Sequence, residues 1–410
     1  MAEQMKWVNA LSTRPSLEAA VKEVVERAQQ QLEEPPDLGL VFISAAFASE
    51  YSRLMPLLQE ILKVPAIIGC SGGGIVGMNQ QGEAREIEGE PALSLTLAYL
   101  PGVNVRVFHI VAEELPDLDG PPDAWVQLVG VPPSKQPQFI LLAEPLGAKA
   151  IDLLQGLDFA YPGASKVGGL ASGGMTSNSY ALFCNYQLYR QGTVGVALSG
   201  EIVLETIVAQ GCRPFGQTYR VSAGERNIVL GLEEYPVPRN SSRSPLEILR
   251  SEIENLSSSD RQLAQHSLFV GIARDEFKSQ LEHGDFLIRN LLGVEPRTGA
   301  IAIGDRVRPG QRIQFHLRDA RTSAEDLEML LKRYRYKIDA YSAPKAALMF
   351  SCLGRGQGLY GQPHFDSHLF SRYFNNVPVS GFFCNGEIGP VGNSTFLHGY
   401  TSVFGICRQP

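Results

Sequence analysis

Three times along this chain an apolar strand is followed by a helix, a proline-led strand and a glycine-rich corner, and that grammar narrows the available folds more than any other feature. LGLVFI (38–43), YSRLMPLLQEILK (51–63) and PAIIGC with its run of glycines form the first unit. QFILLAE (138–144), GAKAIDLLQGL and YPGASKVGGLASGG (161–174) form the second; AALMFSC (346–352), DSHLFSRYF and VPVSGFFCNGEIGPVG (377–392) form the third. Apolar runs of this length read as buried strands, and glycine supplies the positive φ angles and close backbone approaches that corners demand. Such repeats predict an α+β or α/β protein whose mixed β-sheets are flanked by helices, with the corners brought together around a shared cleft. ALSLTLAYL and VNVRVFHIV meet at Pro101-Gly102, which predicts a hairpin.

Residues 16–32 carry apolar side chains at helical spacing behind Ser16 as N-cap. Residues 322–337 predict a second strong helix, with Thr322 and Glu325 as its capping box. Between the second and third units, the Ser-rich segment 242–266 changes the composition and marks a domain boundary, and DFLIRNLLG, TGAIAIG and QRIQFHLRDA follow it as strands. The expected division is an N-terminal helical segment (1–37), a first domain (38–240) and a second (241–410).

With 44% hydrophobic residues and 410 positions, the chain can bury a core without staples. Its formal net charge is −7, and no cluster of basic residues interleaved with aromatics is read anywhere along it, so nucleic acid is not an expected partner. The six cysteines lack any CxxC pair, the N-terminus lacks a signal-peptide core, and no apolar run reaches the roughly 20 residues of a membrane helix. A cytoplasmic protein with reduced thiols is expected, with no membrane partner.

Several motifs touch on chemistry. Gly72-x-Gly74-x-x-Gly77 copies the dinucleotide fingerprint, but the polar, glycine-interrupted stretch after it cannot supply the required helix, and no P-loop exists. No cofactor is expected. Gly69-x-Ser71-x-Gly73 copies a nucleophile elbow, with His109 or His398 as paper partners, and fails for the same reason. His364 and His368 lie four apart without the Glu of a zincin, so no metal is expected either. Ser351-Cys352-Leu353-Gly354-Arg355-Gly356 places a thiol and a guanidinium among glycines at the end of a strand. Cys384-Asn385-Gly386-Glu387 places a carboxylate in another such corner. Arg355 and Glu387 either grip the carboxylate and the amine of a ligand or neutralise each other.

Together, MKWVNALSTRPSLEAA, LGLVFIS, VPAIIGCSGGGIVG, FLIRNLLGV, FHLRDARTSAEDLEMLL, FSCLGRG, SGFFCNGEIGP and LHGYTSVFGI resemble the FIST family (F-box and intracellular signal transduction proteins), as FIST-N followed by FIST-C. The resemblance implies a sensory module that binds a small ligand, with amino acids suggested, and it brings no agreed catalytic residues. Only about 37 residues precede the first strand, leaving no room for an F-box, so an unknown separate protein is the expected signalling partner. The expected ligand site is Arg355, Glu387, Cys352, Gly354, Gly356, Asn385, Gly386, Ser71, Gly72, Gly73, Gly74, Gly173 and Gly174. The competing reading is an enzyme using Cys352 or Cys384 as nucleophile, activated by Arg355 or His398.

Overall fold

The computed structural model describes residues 3–145, 149–174, 176, 179–236, 242–276, 278–281, 284–338 and 343–410. The chain forms two compact units, Met1–Ala209 with Glu328–Pro410, and Gln210–Leu327. The second unit is an insertion within the sequence of the first, and residue 240 lies inside it.

The first unit is built from three repeats. The first runs β1 (Lys6–Ser12), α1 (Leu17–Leu32), β2 (Leu38–Ser44), α2 (Tyr51–Ile61), β3 (Ile67–Gly72), a hairpin of β4 (Gly74–Met78) and β5 (Ala84–Glu88), and β6 (Leu93–Tyr99). The second runs β7 (Val103–Ile110), α3 (Pro122–Val129), β8 (Gln138–Ala143), α4 (Ala150–Ala160), β9 (Lys166–Leu170), a hairpin of β10 (Leu182–Cys184) and β11 (Gln187–Tyr189), and β12 (Thr193–Gly200). The third opens with β13 (Val203–Ala209) and then gives way to the second unit. That unit comprises β14 (Cys212–Glu225), β15 (Ile228–Glu234), α5 (Pro245–Glu254), α6 (Ser258–Ala264), β16 (Leu268–Ala273), β17 (Phe286–Glu295), β18 (Ala300–Ile303) and β19 (Arg312–Arg318). The third repeat resumes through α7 (Ala320–Lys337), β20 (Ala346–Cys352), α8 (Gly356–Tyr360), α9 (Phe365–Tyr373), β21 (Val379–Cys384), a hairpin of β22 (Glu387–Val391) and β23 (Ser394–His398), and β24 (Ser402–Arg408).

The three sheets share one plan. Their orders are β1-β6-β2-β3-β10-β11, β7-β12-β8-β9-β22-β23 and β13-β24-β20-β21-β4-β5. Each repeat builds four strands of its own sheet and donates its hairpin to another: the first gives to the third, the second to the first, and the third to the second. The exchange closes on itself and locks the repeats into one unit. Their inner faces share a core that includes Phe42, Ile68, Ile140, Val167, Phe350 and Phe382. Helices cover the outer faces; α1 and α2 bury Val21, Val24, Leu54 and Leu58 against the first sheet. The second unit is a closed six-stranded barrel, β14-β15-β18-β17-β16-β19.

One position repeats with particular strictness. Across the parallel pairs β2/β3, β8/β9 and β20/β21, Val41 stands opposite Gly69, Leu141 opposite Gly168 and Met349 opposite Gly381. A Cβ built on these glycines would lie 2.1, 1.8 and 1.8 Å from the facing carbonyl oxygen. The shared grammar of the sequence is therefore a shared backbone geometry.

Three sequence expectations change. Residues 1–37, expected as a helical segment ahead of the first strand, already contain strand β1 (Lys6–Ser12), because a short edge strand buried on both faces leaves neither a helical period nor an alternation to read. The Pro101-Gly102 turn forms, with Val103 N–H donating to the Leu100 carbonyl at 3.1 Å. But β6 pairs with β1 and β2 while β7 pairs with β12, so the turn joins two repeats and closes no hairpin. The helix expected from Thr322 starts at Ala320; Asp319 Oδ1 accepts from Thr322 N–H at 2.6 Å and takes the capping role. Ser16 caps α1 as expected, accepting from Ala19 N–H. No helix among the described residues is long and apolar enough to cross a membrane.

Candidate functional site

The corners at the ends of β3, β9 and β21 converge. Ser172 Oγ accepts from Gly73 N–H at 2.8 Å and donates to the Phe383 carbonyl, so one buried hydroxyl ties all three repeats together. Ser71 Oγ donates to the Ser172 carbonyl at 2.9 Å and accepts from Ala181 N–H at 3.0 Å. Asn385 N–H donates to the Leu170 carbonyl at 3.1 Å, and Leu353 N–H to that of Cys384 at 3.1 Å. Ser71, Gly72, Gly74, Gly386 and Cys384 are buried beneath this junction; Gly73, Gly173, Gly174 and Cys352 are half-buried, and Leu353, Gly354 and Asn385 are exposed. The corner glycines named from the sequence thus lie at one junction, some buried in it and some at its surface. Ser172, which ties them, escaped the sequence reading although ASGG and CSGG invite comparison.

Arg355 and Glu387, expected either to grip a ligand or to neutralise each other, each take a protein partner of their own. Arg355 is 1% exposed and makes a two-pronged ion pair with Asp366, Nε to Oδ2 at 2.7 Å and Nη2 to Oδ1 at 3.0 Å. Tyr360 donates its hydroxyl to Asp366 Oδ1 at 2.8 Å and accepts from Arg355. Glu387 Oε2 accepts from Thr401 N–H at 3.0 Å and from its hydroxyl at 2.7 Å. The helix that follows the corner delivers a nearer carboxylate to Arg355, eleven residues along, which strand periodicity cannot register. Arg355 thereby holds the Cys352–Gly356 corner in place. Of the six cysteines only Cys352 escapes full burial. Cys384 is fully enclosed and burial pushes its thiol well above the ordinary range, which makes it a poor nucleophile. His398 Nε2 lies 3.0 Å from the Gly389 carbonyl, within its own hairpin.

The donated hairpin β4-β5 completes this region. Glu88 Oε1 accepts from Gln357 N–H at 2.9 Å, and its carboxylate lies where a Cβ on Gly356 (φ +65) would stand. Glu86 is 2% exposed; its Oε1 accepts from Ser367 N–H at 2.7 Å, its N–H donates to His364 Nδ1 at 3.0 Å, and its Oε2 has no hydrogen-bond partner among the described residues. His364 and His368, a metal pair on paper, stand with ring centroids 5.4 Å apart, and His364 Nδ1 is engaged by this backbone.

Charge counting then sets the protonation state. One buried guanidinium, already claimed by Asp366, faces two buried carboxyl groups, so the second is held neutral by desolvation. Burial, and then the Asp366 carboxylate, raise Glu86 from 4.5 to about 8. Burial lowers His364, which disfavours a compensating imidazolium there. Because the folded value lies above the unfolded one, the stability contributed by protonated Glu86 is complete below about pH 4.5 and is lost as the pH rises through about 8. Glu86→Gln is therefore expected to be nearly neutral in acid and to gain on the order of 2–3 kcal/mol over the parent between pH 5.5 and 8. Urea denaturation of both proteins across that range is the check; parallel profiles would show that Glu86 is ionised throughout.

The other two repeats handle the equivalent helix-to-hairpin junction without such an imbalance. In the second repeat, Lys166 pairs with Asp158 at 2.8 Å, and Thr395 of the donated hairpin closes the pair. In the first, Tyr51 packs edge-on against Phe183, with ring centroids 6.4 Å apart. Only the third junction, among the described residues, buries more carboxyl groups than cations.

Residues 37–234 match the FIST N domain and residues 245–390 the FIST C domain. An uncharacterised protein of Mycobacterium tuberculosis is 31% identical over 393 residues, covering 96% of this chain and 97% of its own. One from Mycobacterium bovis is 31% identical over 391 residues, covering 95% of each chain. An F-box/LRR-repeat protein of Arabidopsis thaliana is 29% identical over 115 residues, 25% of this chain and 22% of that one. Among solved structures, a cyanuric acid hydrolase aligns over the full length of both chains at 8% identity with a TM-score of 0.31, too loose to carry an argument.

Proposed function

The chain belongs to the FIST family, a family of sensory and signal-transduction domains, and we propose that it senses a small polar metabolite, such as an amino acid, at the junction of its glycine corners, and signals through a separate cytoplasmic partner. The observation that carries this reading is the asymmetry of the repeats. Three equivalent junctions satisfy one fold, one with aromatic packing beneath the Arg190 guanidinium and one with a balanced pair, and among the described residues only the third buries Glu86, Asp366, Arg355 and Tyr360 beside exposed glycine backbone. Stability alone asks for no such cluster, since replacing buried charge with well-packed apolar groups is commonly neutral or stabilising. In this reading the ligand meets Asn385, Cys352 and the backbone of Gly73, Gly173, Gly174 and Gly354. Arg355 positions that rim, and Glu387 anchors the floor beneath Gly386.

A thermal-shift screen of amino acids and related metabolites tests it. A ligand at a hundred times its Kd adds about 2.7 kcal/mol, which is a shift of several degrees. Asn385→Ala, at an exposed position, is expected to keep the unliganded melting temperature and abolish the shift. If no compound raises the melting temperature, or if the variant responds as the parent does, the proposal is overturned.

A further inference from the structure

The last two turns of α7 carry Met-Leu-Leu-Lys-Arg-Tyr-Arg-Tyr-Lys (329–337), four basic residues in six positions and no acid. Basic and aromatic residues interleave here, contrary to the expectation that no such cluster exists along the chain. Met329, Lys332, Arg333 and Tyr336 recur at three- and four-residue spacing and so share one face. Tyr336 is 90% exposed and Met329 47%. Tyr334 points the other way, buried, with its hydroxyl donating to Glu205 at 2.7 Å. Lys332 reaches Glu328 at 3.1 Å, whereas Arg333, Arg335 and Lys337 have no ion pair among the described residues. Basic residues at a helix C-terminus complement its dipole. That role accounts for one or two of these charges, and it asks for no exposed tyrosine.

At the C-terminal end of this helix opens a cleft of about 1000 Å³, lined from the helix end by Arg335 and Ile338 and from elsewhere by Trp7, Lys345, Tyr373 and Val377. Of the acids on its rim, Glu34 is already engaged by Lys6 at 3.3 Å. On a chain whose net charge is −7, a basic helix end above a partly apolar cleft is an exception that selects its occupant.

We propose that this surface docks an acidic segment of another protein, its carboxylates on Arg333, Arg335 and Lys337 and an apolar side chain in the cleft. The basic run spans roughly 7.5 Å at ~1.5 Å per residue, too short to follow a nucleic-acid backbone, and the net negative charge opposes a polyanion. The cleft, by contrast, falls within the size range that holds a side chain or small group. The surface shares no residue with the ligand site, so it stands or falls independently of that reading.

The test is fluorescence anisotropy at low salt with a fluorescein-labelled dodecapeptide of alternating glutamate and leucine, and with a labelled single-stranded dT12 as the competing probe. The peptide is expected to bind, to weaken at least tenfold in Arg333→Glu/Arg335→Glu and about threefold in Tyr336→Ala, and to be unaffected by Arg321→Glu at the far end of the helix. Absent binding, binding that ignores these substitutions, or tighter binding of dT12 would overturn it.

Discussion

Gly381→Ala is expected to destabilise the first unit by about 4 kcal/mol or more, among the largest effects open to a single substitution. Two causes act together. The added Cβ would lie 1.8 Å from the Met349 carbonyl oxygen, a backbone atom that can retreat only by parting β20 from β21. The residue also stands at φ +153, where side chains are rarely tolerated. Gly168→Ala repeats both conditions at the Leu141 carbonyl, with φ +151, and should cost as much. Gly358→Ala, in α8 with nothing within 4 Å of its Cβ, serves as the control and should stay within about 0.5 kcal/mol of the parent. Urea midpoints decide the matter; equal midpoints for all three variants would mean that the parallel pairs relax freely and that the repeated glycine has no structural cause.

Asp366→Ala is expected to cost about 3–5 kcal/mol, because it strands the Arg355 guanidinium at 1% exposure without its carboxylate. Tyr360 and Glu86 lie nearby, and Glu86 is expected to ionise in the variant to replace the missing charge. Two measurements therefore separate an ion pair from simple packing. The double variant Arg355→Met/Asp366→Leu should recover most of the loss, since it removes both charges together. The dependence of stability on Glu86 near pH 8 should also vanish in Asp366→Ala. A double variant no better than the single one would place the effect in shape rather than charge.

Much of this architecture is legible in the residues themselves. The threefold grammar, the strands at 38–43, 138–144 and 346–352, the Ser16 cap and the absence of a helix after Gly77 all follow from local patterns, and local patterns act over a few residues of sequence. The glycine corners were legible as a set because each follows a strand whose apolar run is continuous. Three things were not. The hairpin exchange links segments more than 300 residues apart, as in Gly381 with Val76, and no periodicity encodes which sheet receives a hairpin. The insertion after β13 hides the end of one compact unit inside a uniform run of strands. The partner of Arg355 depended on where α9 turns back, a matter of tens of degrees at His364, which adopts φ +61.

By itself, then, the sequence determined the class of fold, the repetition, the family and the whereabouts of the glycines. The tertiary structure alone decided which groups meet: Arg355 with Asp366, Glu387 with Thr401, and Glu86 with one carboxylate oxygen that has no hydrogen-bond partner among the described residues. The physical reason is range. Backbone preference and apolar periodicity are written in neighbouring residues, whereas the free energy of a buried charge depends on every group the fold carries to within a few ångströms of it, from whatever part of the chain.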